Sequence, residues 1–329
     1  MDPINWSPLR FEPILKRLIW GGRRLGTVLR KPIGDAADYA ESWELSDHRE
    51  DVSVVADGPL KGTSLRTLVR EHADALFGSG KAHPRQFPLL VKFLDANQVL
   101  SVQVHPDDAL GRRLVDDNGK TEAWVILHAE PGSLIYAGLN EGVTRDQFAR
   151  AFETGEFEPL LHAFEAKVGQ CILIPAGTVH AIGAGVLLAE IQQMSDATFR
   201  VHDWHRVGPD GKPRTLHPAQ ALEATDFQAG PVRPLESAAQ PIAGGTRETL
   251  ASSDYFRMER LTLGAPTQIG SHDRFTIVLG MEGDSVVRKG PDGRPETLKA
   301  GETLLLPAAL GVCDVEPRGT ATILTCVVP

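Results

Sequence analysis

The sequence is short of cysteine, of positive charge and of long apolar runs, and each shortage removes a class of protein. Cys171, Cys313 and Cys326 form an odd, scattered set with no C-x-x-C pair. A disulfide framework is not expected, and a reduced, cytoplasmic setting fits. Lys and Arg total 34 against 43 Asp and Glu, for a net charge of -9. Sequence-independent nucleic-acid binding needs a basic surface, so nucleic acid is not an expected partner. Contacts to an anionic substrate must then be local. No stretch approaches the roughly 18 apolar residues of a membrane span. The start, Met1-Asp2-Pro3-Ile4-Asn5-Trp6, lacks the basic and apolar regions of a signal peptide.

What is present is an ordinary globular composition, 42% hydrophobic and 23% charged over 329 residues. That is enough chain for a full core and, on length, for two domains. Ile19-Trp20-Gly21-Gly22 reads as an edge strand, Glu41 to Ser46 as a half-buried one, and Trp6, Trp20 and Trp43 as core. Apolar spacing predicts a helix over 63–77 behind a Gly-Thr-Ser start. Strands follow at Phe87 to Asp95 and Val99 to Val104, then a short helix and loop over Asp107 to Asn118. Gly119 to Leu127 reads as the next strand. Thr144 with Gln147 is a capping-box pattern that opens a helical insert, and a second short helix is expected over Phe157 to Phe164. Cys171 to Pro175, Val186 to Gln193 and Ala197 to Asp203 return to strand, and Pro218 to Ala224 is helical. The weakly patterned stretch 228–245 divides the chain into 1–235 and 236–329. The second part holds short strands at regular spacing, the pattern of a small sandwich or barrel.

The chemistry concentrates in a few polar residues on apolar strands. On the stretch Leu100 to Pro106, Gln103 and His105 share one face because side chains two apart on a strand point the same way. Glu122 shares a strand face with Trp124 and Ile126, where a carboxylate is costly unless paired or bound to a metal. In Gly169-x5-Pro175-x-Gly177-x2-His180, a core strand turns and brings His180 back toward the mouth. That spacing resembles the second motif of the cupin superfamily, whose small β-barrels hold a metal; Ala184 stands where the motif has Asn. The first cupin motif expects His-x-His and then Glu, where this chain has Gln103-x-His105 and a distant Glu122.

These departures resemble one branch, the type I mannose-6-phosphate isomerases in their shorter bacterial form. The resemblance rests on Ile19-Trp20-Gly21-Gly22, Glu41 through His48, Gln103 through Asp108, Gly119 through Trp124, Pro175 through Ala181 and Glu190 through Val201, in that order. It implies a mainly β fold of two cupin-type barrel or sandwich domains, with helical insertions in the first and no metal ligands in the second. In the second, Gly301-x5-Pro307 repeats the motif spacing, Ala309 replaces the Gly and His272 stands alone. By the same resemblance Gln103, His105, Glu122 and His180 would hold one Zn²⁺ per chain, a donor set that suits zinc. Arg200 would be the catalytic arginine, on the strand face of Thr198 and His202.

The activity implied is conversion of mannose 6-phosphate to fructose 6-phosphate through a cis-enediol, in a monomer or homodimer. The metal would polarise the carbonyl oxygen, and Arg200 would stabilise the enediolate or hold the sugar. Lys120, two residues before Glu122, would gather phosphate or assist proton transfer. The general base stays open among a metal-bound water, Asp196 and Lys120. Some relatives carry His-Lys where this chain has Gly119-Lys120, so a role for that His does not transfer. Two other readings stand beside this one: a different metal cupin enzyme, such as an iron oxygenase, and a sugar-phosphate-binding cupin without turnover.

Overall fold

Every residue of the strand Val186–Gln193 is buried. Such a strand needs a neighbour on each edge and cover on both faces. In the computed structural model, which describes residues 4–80, 82–208 and 211–329, it lies between Leu89–Ala96 and Glu122–Ala129 in an antiparallel sheet. Six strands make that sheet, in the order Ile14–Gly22, Tyr39–Leu45, Leu89–Ala96, Val186–Gln193, Glu122–Ala129, Cys171–Ile174. A five-stranded sheet faces it, ordered Phe199–His202, Val102–Val104, His180–Ile182, Leu134–Leu139, Leu161–Glu165. Between them packs an apolar core that includes Leu94, Trp124, Ile126, Ile172 and Leu188 from the first sheet and Ile135, Ala137 and Ile182 from the second.

The last third of the chain repeats this plan. Its six-stranded sheet runs Gln240–Ile242, Gly245–Ser252, Arg257–Leu263, Ala321–Val327, Thr276–Glu282, Thr303–Leu306. A four-stranded sheet faces it, ordered Thr267–Ile269, Cys313–Pro317, Ser285–Arg288, Glu296–Leu298. Leu261, Val278, Leu304 and Ile323 meet Ile269, Val287 and Val315 between the two. The fold is thus mainly β, in stacked open sheets.

The barrel half of the expectation does not hold, since among the described residues no pairing closes these sheets. Edge strands carry charge instead: on Ile14–Gly22, Lys16 pairs with Asp51 at 2.5 Å and Arg17 with Asp38 at 2.6 Å. Charged edges discourage further strand pairing.

One further core joins the outer faces of the two six-stranded sheets, with Val91, Phe93, Leu187 and Ala189 from one and Met258, Ile277, Leu305 and Leu324 from the other. Two short helices, Leu65–Glu71 and Ala73–Phe77, add Leu68, Leu76 and Phe77 to it. The expected single helix is therefore broken at His72. Its start is as read, since the Ser64 side chain caps it by accepting from the Thr67 amide. The initial segment is drawn in as well: Leu9 and Leu305 exchange backbone hydrogen bonds of 2.8 and 2.9 Å.

Helices Asp108–Val115, Arg145–Thr154 and Pro218–Ala224 cover the outer face of the five-stranded sheet, where Phe148 and Ala221 pack on Val102, Val104 and Phe199. Both halves of the Thr144–Gln147 capping box are present. The second expected helix is not: Glu158–Leu160 makes one 3-10 turn, and Leu161–Glu165 is strand. Edge pairing to Leu134–Leu139 outweighs the weak helical signal after Pro159. The three cysteines are buried free thiols. Among the described residues no helix is long and apolar enough to cross a membrane.

Candidate metal centre

Backbone pairing brings the polar residues together. His180 opens its strand opposite Gln103, and Gln103 in turn faces Arg200 on the next strand. The row His180, Gln103, Arg200 crosses three adjacent strands of one sheet. From the facing sheet comes Glu122, the first residue of its strand, paired with Ile174 just before Pro175. His105 follows its short strand, and its carbonyl accepts from the Gly177 amide at 2.9 Å. Gly177 sits at φ +86, and an added Cβ would lie 3.1 Å from the Ala224 carbonyl oxygen. This turn therefore requires glycine.

One ligand-type atom each from His105, Glu122 and His180 falls within 4.8 Å of the others, and all three residues are buried. His105 Nε2 lies 3.6 Å and His180 Nε2 3.4 Å from different Glu122 oxygens. Each imidazole donates through Nδ1 to a backbone carbonyl, His105 to Ala197 at 2.8 Å and His180 to Thr178 at 2.9 Å. Those bonds fix both tautomers and leave both Nε2 lone pairs aimed inward, as metal-ligating histidines are held. The carboxylate is fully buried, and its Oε1 accepts no hydrogen bond, while Oε2 meets the Lys120 ammonium. The Gln103 amide nitrogen is 3.2 Å from His180 Nε2. A half-turn of that amide exchanges its nitrogen and oxygen, giving a fourth donor.

The charges agree with this reading. Burial, with the nearby Glu190 charge, pushes the Glu122 carboxyl up to about 7 against the pull of Lys120 and Lys92. Burial holds His180 down to about 4 and His105 well below its ordinary value, with Lys120 adding to both. Both rings are thus neutral at neutral pH, the form that binds a cation. The Lys120 ammonium fills part of the space, 3.0 Å from His105 Nε2 and 2.8 Å from a Glu122 oxygen.

Arg200 is half-buried. It donates from its side chain to the Thr215 carbonyl at 2.9 Å, its backbone amide donates to His217 Nδ1 at 2.9 Å, and its Nε has no partner. Burial, with Arg214 and Arg206 nearby, lowers its pKa. It forms no pair with Glu190, the acid that would have made it merely structural. Asp196 stands apart: it is exposed at its turn, and among the described residues no hydrogen bond or ion pair joins its carboxylate to the cluster. Gly119, where some relatives carry His, packs against the backbone of Asp107 and Asp108, so a side chain has no room there.

Two neighbours were not singled out from the sequence. Lys92 bonds to Glu190 at 3.2 Å and lies 3.5 Å from Glu41, and Trp124 donates to Glu190 at 2.9 Å. All of Lys92, Glu190 and Trp124 are buried. A Lys in Leu90-Val91-Lys92-Phe93-Leu94 and a Glu in Leu188-Ala189-Glu190-Ile191 are the signals that would have found them, because an ion inside an apolar strand needs a partner.

Stacked open sheets with a buried His–Glu–His cluster between them define a β-sheet protein with a candidate metal centre. A family model described as phosphomannose isomerase type I, catalytic domain, matches residues 9–123. Mannose-6-phosphate isomerase ManA of Bacillus subtilis (strain 168) is 35% identical over 94% of this chain and 96% of its own. The chain belongs to the type I phosphomannose isomerase family. A crystal structure of the mannose 6-phosphate isomerase from Bacillus subtilis matches with a TM-score of 0.89 at 30% identity, over 98% of this chain and 99% of that one. A mannose 6-phosphate isomerase bound with zinc and yttrium shares the fold, with a TM-score of 0.76 at 18% identity over 97% and 99%.

Proposed function

We propose that this protein interconverts mannose 6-phosphate and fructose 6-phosphate, with one Zn²⁺ held by Gln103, His105, Glu122 and His180. The observation that carries the reading is the inward aim of two neutral imidazoles at a buried carboxylate that Lys120 meets at one oxygen only. The second oxygen is costly in the interior without a further cation. Two nitrogens with a carboxylate and an amide oxygen are hard-to-borderline donors that zinc accepts with a position left open. When bound, zinc supplies Lewis-acid stabilisation of the negative charge that develops on the sugar oxygens.

The chain's own residues do the rest. Lys120 and Arg200 are fixed cations flanking the cluster, and they hold the anionic oxygens of the sugar as a proton moves between C2 and C1. Preorganised charge of this kind contributes several kcal/mol because nothing has to reorient during the reaction. Lys120, already in contact with His105 and Glu122, has the shorter reach to the reacting carbons. Asp196, exposed at the turn whose Ala197 carbonyl steadies His105, and a metal-bound water are the other candidates for the proton transfer. We also read the chain as two cupin-type sandwiches dividing near residue 235, the first carrying the metal and the second none.

The test couples fructose 6-phosphate formation to a reporter, before and after chelation and after zinc is restored, with elemental analysis alongside. His105→Ala and His180→Ala are expected to lose metal and turnover together while the far-ultraviolet spectrum is kept. Metal bound and sugar phosphate bound without turnover would instead make this a binding protein. Turnover untouched by complete metal removal would end the zinc reading.

A further inference from the structure

We propose that the two C-terminal sheets carry a second ligand pocket, for a phosphoryl group borne on a small hydroxylated molecule. The inference goes beyond the isomerase reading and does not depend on it.

The two halves of the fold correspond strand for strand. Gly301-x5-Pro307 repeats Gly169-x5-Pro175, and Thr276 pairs with Leu306 before Pro307 as Glu122 pairs with Ile174 before Pro175. Two residues further, Val278 faces Thr325 as Trp124 faces Glu190. Thr325 faces Glu259 as Glu190 faces Lys92. On the covering sheets, Ile269 pairs with Cys313 at the start of its strand, as Gln103 pairs with His180. Three independent registers thus superpose the candidate metal centre on one spot of the C-terminal sandwich. At that spot Thr276 stands for Glu122, Ile269 for Gln103 and Cys313 for His180, so the metal-ligating chemistry is gone.

The space is not. Two adjoining cavities of about 460 and 380 Å³ open there, and they share Arg247, Glu259, Arg274 and Thr325 in their walls. Each is of the size that takes a small ligand. Arg257 also lines the larger one. Only Arg257 is neutralised, by Glu259 at 2.6 Å. Arg274 donates to the Val328 carbonyl at 3.2 Å, and among the described residues Arg247 has no hydrogen-bond or ion-pair partner. Below them lie Thr276 and Thr325, 4% and 7% exposed, whose hydroxyls have no protein partner among the described residues.

Two guanidiniums with no carboxylate partner and two threonine hydroxyls in the same cavity wall match an anion with bidentate oxygens at one end and hydroxyls at the other. The carboxylate in both walls, Glu259, is engaged by Arg257, and no imidazole lines either cavity among the described residues, so the pocket binds without reacting.

Calorimetric titration of the whole protein with glucitol 6-phosphate, which has no carbonyl to isomerise, tests this against orthophosphate and unphosphorylated glucitol. Wild type is expected to bind glucitol 6-phosphate at two sites. Lys120→Ala should weaken one site and leave the other. Arg247→Ala/Arg274→Ala should weaken that other site about tenfold or more, the loss of charged hydrogen bonds, with turnover and melting temperature unchanged. Thr325→Val should weaken the same site alone. Binding of glucitol 6-phosphate that is unchanged in the double arginine variant overturns the proposal, whereas a single wild-type site that this variant abolishes supports it and counts against the isomerase site alone. Orthophosphate binding as tightly as glucitol 6-phosphate overturns its hydroxyl-recognising part. Loss of turnover under chelation is read separately and bears only on the isomerase assignment.

Discussion

Gln103 and His180 face each other on adjacent antiparallel strands, with amide and imidazole nitrogens 3.2 Å apart. A side chain held by its strand pairing needs little reorganisation to meet a cation. Replacing Gln103 by Leu keeps the packing and removes the donor. Metal affinity is expected to fall by about 10–100-fold, the range seen when a supporting group is lost. A competitive chelator titration reads this directly, and an unchanged affinity would remove Gln103 from the ligand set.

Lys92 is the cation shared by Glu190 and Glu41. Lys92→Met leaves the buried Glu190 carboxylate and the half-buried Glu41 without their shared cation, at a cost of about 3–5 kcal/mol, as for a buried pair broken on one side. Adding Glu190→Gln should recover part of that loss, because the second change removes the stranded charge. Urea unfolding of the two single variants and the double variant closes the cycle. Simple additivity would show that the two side chains do not act together.

The turn at Gly177 is a local constraint with a distant reading. Gly177→Ala forces a Cβ into the left-handed region and toward the Ala224 carbonyl, costing about 1–2 kcal/mol. Since the Gly177 amide bonds to the His105 carbonyl, metal affinity should drop along with stability. Destabilisation with full metal affinity would mean the turn and the cluster are independent.

Asp203 accepts from Arg206 at 2.5 Å and from Arg214 at 2.7 Å. Burial pushes its carboxyl up, but these bonds and charges outweigh burial and leave it below the ordinary value. The stabilisation this provides is complete above the unfolded carboxyl value of about 3.9 and is lost as pH falls through the lower folded value. Asp203→Asn should therefore be less stable than wild type at pH 7, and the two should converge in strong acid. Denaturation midpoints across that range settle the sign, and a gap that widens in acid would contradict it.

Much of this was legible in the chain itself. The long strands announced themselves through buried apolar runs, and Gln103, His105, Glu122 and His180 through being polar where burial makes polarity expensive. Their convergence was not legible from period alone; it came from matching a family pattern. Strands such as His180–Ile182 and Thr267–Ile269 span three residues, too few for alternation to register, and their pairing depends on partners distant in sequence. Leu134–Leu139 was passed over because Tyr136, Ala137 and Gly138 give no clean alternation. Asp196, one of the three candidates for the general base, is exposed at its turn, which sequence position alone does not reveal.

The backbone bonds between Leu9 and Leu305 mean that the chain is stitched almost end to end. Together with the shared apolar seam behind the sheets, this makes the molecule melt as one body, so that severing it near residue 235 would leave two fragments each with a raw hydrophobic flank. Damage to the C-terminal sheets should then be felt at the His105–Glu122–His180 cluster, through shared cohesion and without any moving part.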